Sequence, residues 1–113
     1  MNNLRNKVQL IGNVGMTPEV KTFGEGKTRV HFSIATNESY KNKNGEKVDE
    51  TQWHNIVVWG KGAELAASLI KKGAEIAIEG KLTSRKYDDK DGNTRYVTEV
   101  VMNSFLLLGK KAS

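Results

Sequence analysis

The chain has 113 residues and a mass of 12.6 kDa, enough for one compact domain with a small core, and two would be cramped. Its 18 basic and 13 acidic residues leave a net charge of +5, spread along the chain rather than gathered in a tail. Zero cysteines exclude disulfides, thiolate metal sites and cysteine nucleophiles, and two histidines leave little for zinc.

In chain order, Val8, Leu10 and the run to Gly12 predict a first strand, followed by a turn region through Thr17 and Pro18. Val30, Phe32, Ile34 and Thr36 alternate with Arg29, His31, Ser33 and Ala35, and this period of two predicts a half-buried second strand. A polar loop with Asn44-Gly45 as its turn signal leads to a third strand, Thr51 to Gly60, rich in β-formers. The period then changes. Ala63, Ala66, Leu69 and Ile70 fall on one stripe at helical spacing within Lys61 to Lys72. Lys71 and Lys72 would favour the helix's negative end, and Gly73 would stop it.

Ile76, Ile78, Gly80 and Leu82 open a fourth strand whose other face carries Lys81, Thr83, Arg85 and Tyr87. Asp88 to Asn93 reads as a hairpin tip, and Tyr96 to Leu108 as a long fifth strand with apolar residues on both faces. An all-β chain of five strands with one helix between strands 3 and 4 matches the OB-fold barrel. It is a single domain over residues 1–109, with a short basic end at 110–113.

Two motifs prove false. Gly24-Glu25-Gly26-Lys27-Thr28 ends like a phosphate-binding loop, but Lys21 stands where that loop needs its first glycine, so it reads as a surface turn. Asp88, Asp89, Asp91 and Gly92 hint at a calcium loop, yet alignment on Gly92 puts Tyr87 and Thr98 where acidic ligands belong. No base, nucleophile or metal constellation emerges, so no catalytic residue, metal or cofactor is assigned and an enzyme is not expected. Nor does any stretch reach the roughly 18 apolar residues of a membrane helix. The opening run, Met1 to Lys7, lacks the apolar core of a secretory signal, so the cytoplasm is the expected location.

The informative feature is the placement of large aromatics. Trp53 and Trp59 share strand parity and project from one face of the third strand, roughly 20 Å apart at about 3.3 Å per residue. Tyr87 sits beside Arg85 and Lys86, and Tyr40 beside Lys41. A tryptophan just before Gly60-Lys61 and a tyrosine in a charged hairpin are poorly placed for burial. Exposed rings interleaved with cations suit single-stranded nucleic acid: bases stack on the rings while cations track the phosphates. His54 points away from the tryptophans and reads as a packed or interface histidine.

These blocks resemble the bacterial single-stranded DNA-binding proteins over roughly Asn6 to Gly109. The similarity rests on Asn6-Lys7-Val8 with Gly12-Asn13, Pro18-Glu19-Val20, Glu38-Ser39, Thr51-Gln52-Trp53-His54, Gly60-Lys61, Arg85-Lys86-Tyr87 and Thr98-Glu99-Val100. The resemblance implies an OB-fold homotetramer that wraps single-stranded DNA without reading sequence, a nucleoid-associated role. It implies base stacking at Tyr40, Trp53, Trp59 and Tyr87, and phosphate contacts at Lys7, Lys61, Arg85 and Lys86. It also implies a subunit contact at His54. The family's acidic tail, which recruits replication and repair proteins, has no counterpart in Leu108 to Ser113, so those partners are not assigned. The alternatives are an OB-fold module that binds single-stranded RNA or serves primosome assembly, and an OB-fold nuclease. The nuclease would need a carboxylate cluster on the binding face.

Overall fold

A computed structural model describes residues 5–24 and 27–110, the Lys110 side chain excepted. The tip of the expected surface turn at 25–26 and the end from Lys111 lie outside the described residues. The element order is β1 (Val8–Val14), β2 (Glu19–Phe23), β3 (Lys27–Lys41), β4 (Lys47–Trp59), α1 (Lys61–Leu69), β5 (Ala74–Asp88) and β6 (Thr94–Lys110).

The alternation read in β3 sets the core. Val30, Phe32 and Ile34 are fully buried and pack with Ile56 and Val58 of β4, Ile76 and Ile78 of β5, and Val100 and Met102 of β6. Strand order β1-β5-β6-β4-β3-β2 becomes a closed barrel because β1 pairs twice. Val8 to Asn13 lie against β5, and Asn13 and Val14 cross to Ala35 and Ile34 of β3. At this closure the backbones meet at Gly12, where a side chain would run into the Ala35 carbonyl.

The five expected strands all form, and a sixth accompanies them. Glu19 to Phe23, to which the sequence assigned no element, is β2, an edge strand paired antiparallel with β3. Every one of its residues is exposed, so it carries no core periodicity to find. The helix consequently lies between β4 and β5.

The helix is also shorter than the sequence suggests. It stops at Leu69, Ile70 turns extended and sinks into the core, and Lys71 and Lys72 lie beyond the last turn, which itself carries no basic residue. Gly73, at φ 87°, then donates its N–H to the Val14 carbonyl at 2.8 Å, tying the chain back to β1.

Candidate nucleic-acid interface

The residues of β3 and β4 that point away from the core form the floor of one surface. Unbroken register sets Arg29 opposite Trp59, His31 opposite Val57, Ser33 opposite Asn55 and Ala35 opposite Trp53. β6 joins β4 in parallel at Val57 and Val101, and β5 follows with Thr83 opposite Glu99, Arg85 opposite Val97 and Tyr87 opposite Arg95. Directly paired residues share a face, so the surface runs continuously from the tryptophans to the β5–β6 hairpin. A groove of about 300 Å³ crosses it, lined by Arg29, His31, Asn55, Arg85, Tyr87, Val97 and Glu99.

Both tryptophans are exposed on this surface, Trp53 at 62% and Trp59 at 49%, while the opposite side of β4 supplies the core. Trp53 lies over Gly15, whose N–H donates to the Ser33 carbonyl at 2.9 Å. A methyl group on Gly15 would collide with the far edge of the indole. Gly15→Ala is therefore expected to tilt the Trp53 ring and leave the barrel intact. The emission maximum should shift and single-strand affinity should fall, with the melting temperature little changed. Unaltered emission and affinity would show that the ring's position is not set by Gly15.

Tyr87 lines the groove, with the Arg85 guanidinium 6.0 Å from its ring centre. Arg85 is itself held from behind. Its Nε and Nη2 donate to the two carboxylate oxygens of Glu99 at 3.0 and 3.4 Å, and Glu99 is buried. The fork fixes the guanidinium at the groove wall. Tyr40 is exposed but falls on the other face of the β3–β4 ribbon, by its parity with Ile34 and Phe32. Its hydroxyl donates to Glu50 at 3.2 Å, and that carboxylate's charge and hydrogen bond push the phenol above its ordinary pKa.

The four expected cations part company. Lys61 opens α1 directly after Trp59-Gly60 and is exposed. Arg85 flanks the groove. Lys86 projects from the reverse of the hairpin, 5.8 Å from the Tyr96 ring centre. Lys7 sits just before β1, beside β5, where it pairs with Glu79 at 3.4 Å. His54 faces away from the tryptophans, half-buried, with Nε2 3.0 Å from Thr36 Oγ1.

Reading the sequence missed Phe23, Arg29 and Tyr96. Phe23 lies on the unrecognised β2 with its ring centre 5.9 Å from that of Trp59, and Arg29 stands beside both rings. The clue for Arg29 was its parity with His31 and Ser33, opposite the core side of its strand. Among the described residues, no group of three histidine, aspartate or glutamate side chains is arranged to hold a metal ion. The hairpin tip instead ties Asp89 to itself. Asp89 accepts from Arg95 at 2.9 Å and from the Asn93 and Asp91 amides, and these donors, Arg95 first, hold its carboxyl below the usual pKa.

A closed five-stranded barrel of this topology with aromatic rings and cations on one outer face defines a nucleic-acid-binding OB fold. The sequence model of the single-strand binding protein family matches residues 5–108, and the chain belongs to that family. It is 43% identical to the single-stranded DNA-binding protein 1 of Xylella fastidiosa over 94% of this chain and 79% of that protein. It is 43% identical to the single-stranded DNA-binding protein of Neisseria meningitidis over 92% of this chain and 60% of that one. Among solved structures it resembles the Plasmodium falciparum SSB complex with ssDNA. The TM-score is 0.82 at 31% identity, over 91% of this chain and 94% of that chain.

Proposed function

We propose that this chain binds single-stranded DNA without reading its sequence and so holds and protects exposed strands during replication, recombination and repair. Its role is binding rather than catalysis. The observation that carries this reading is the pair of tryptophans exposed on one sheet face, with a cation-lined groove between them and the hairpin tyrosine. Stacking supplies affinity that every base can satisfy, and phosphate neutralisation supplies the rest, so neither term depends on sequence. Trp53, Trp59 and Tyr87 stack bases on the groove face, with Lys61 and Arg85 beside them. Tyr40 and Lys86 serve a strand that wraps onto the reverse faces of their ribbons, and Lys7 completes the path around the barrel. The names of the relatives in Xylella and Neisseria support DNA as the ligand.

The protein acts as a homotetramer in the cytoplasm, associated with the nucleoid. What supports assembly is apolar surface that one barrel does not cover: Ile11 on β1 and Leu106 on β6, set in one row by Ala77 of β5 between them, are both exposed, Leu106 at 64%. Such a patch marks an interaction surface. His54 lies at or near a subunit contact.

Tryptophan fluorescence titrated with poly(dT), with molar mass measured alongside, tests both parts. Strong quenching and a tetrameric mass are expected, and His54→Phe should shift the mass toward smaller species. Emission unchanged by saturating poly(dT), or equal affinity for poly(U), would overturn the DNA reading. A monodisperse monomer at micromolar concentration would overturn the assembly.

A further inference from the structure

Phe23 gives the outer face a further ring beside Trp59, contributed by β2. The register sets Lys21 opposite Arg29 and Arg29 opposite Trp59, which makes a row across three strands, with Phe23 and Lys27 paired in the next row. The Phe23 and Trp59 rings lie 5.9 Å apart between centres, inclined at 33°. Lys21 Nζ is 5.0 Å from the Phe23 centre, and the Arg29 guanidinium is 5.2 Å from Phe23 and 5.9 Å from Trp59. Among the described residues, Arg29 Nε is buried without a hydrogen-bond partner. Arg29 also lines the groove, so this cluster and the groove are one continuous surface.

No residue of β2 belongs to the buried core of the barrel. β2 is an edge strand with every residue exposed, and Phe23 keeps 37% of its surface in solvent. A phenylalanine set among cations on such an edge offers a π face and positive charge at once, the pairing that single strands require. Glu19, the acid on this face of β2, stands a row away opposite His31.

We propose that Phe23 is an additional base-stacking residue and that Lys21 and Arg29 neutralise the adjoining phosphates, so that a bound single strand continues past Trp59 across β2. This inference rests on the single-strand reading and extends the contact surface beyond the aromatic residues that reading uses. The competing role for Phe23 is to buttress Trp59 without touching DNA.

The test places a reporter at the position. Phe23→Trp is made in the full chain together with Trp53→Phe and Trp59→Phe, which leaves one indole, and an end-labelled (dT) oligonucleotide reports binding by anisotropy. The expected result is quenching of that indole in step with the anisotropy rise. In the otherwise unaltered chain, Phe23→Ala should weaken (dT) binding about 5- to 150-fold, the equivalent of one stacked base. Lys21→Ala and Arg29→Gln should each make the salt slope shallower by about 0.7. Oligonucleotide that binds without changing the indole's emission overturns the proposal and leaves Phe23 a packing partner of Trp59. If the unaltered chain itself fails to raise the anisotropy, the single-strand reading falls, and the proposal with it.

Discussion

Trp53→Ala and Trp59→Ala are each expected to weaken poly(dT) binding by about 1–3 kcal/mol, a loss of roughly 5- to 150-fold. The rings are exposed and turned away from a core already filled by Ile56 and Val58, so their removal opens no cavity. Melting temperatures should therefore stay close to that of the unaltered chain. The residues lie six positions apart on β4, roughly 20 Å at about 3.3 Å each, too far to touch one base. Their effects should accordingly add, and the double variant should lose about the sum of the two. The Trp59 change carries an extra consequence, since it also removes the ring beside Phe23 and Arg29. Equilibrium titrations of the three variants against labelled (dT) decide the matter. Normal binding by both single variants would show that the tryptophans are incidental.

A second large effect is expected from strand type and salt. Duplex DNA of the same length should bind far more weakly, because its bases stack on each other and cannot reach the rings. For single strands, log affinity should fall against log salt with a slope of about −0.7 per phosphate neutralised. Lys61→Ala should make that slope shallower by about that amount, and should do so equally for all sequences, because phosphates carry no sequence information. Lys86→Ala tests the path. Lys86 lies behind the hairpin against Tyr96, so a shallower slope means that the strand passes onto the reverse face. An unchanged slope confines the strand to the side that carries Tyr87. The stacking contribution should persist at high salt. Equal affinity for single-stranded and duplex oligonucleotides would leave only a generally basic protein.

The regular alternation of Val30, Phe32 and Ile34 made β3 legible, and with it the side of the sheet that faces the core. The shared parity of Trp53 and Trp59 made their common, exposed face legible for the same reason, since side chains repeat every two residues along a strand. β2 was not legible. All five of its residues are exposed, and its pairing with β3 is a backbone matter to which the side chains give no periodic clue. The end of the helix was misplaced for a related reason. Propensity and charge extended it through Lys72, whereas the chain turns extended at Ile70, which is buried in the core, and Gly73 then bonds to distant Val14.

The sequence by itself determined the strand-rich class, the position of the single helix after the tryptophan strand, and the exposure of the large aromatics. Each follows from local spacing, and spacing is a property of the chain alone. Only the tertiary structure decided which cations and rings meet. It paired Arg85 with buried Glu99, drew Lys7 to Glu79, turned Lys86 toward Tyr96, and set Phe23 and Arg29 beside Trp59. These contacts depend on register between strands and on barrel closure. Register comes from the whole core packing at once, and no window of sequence contains it.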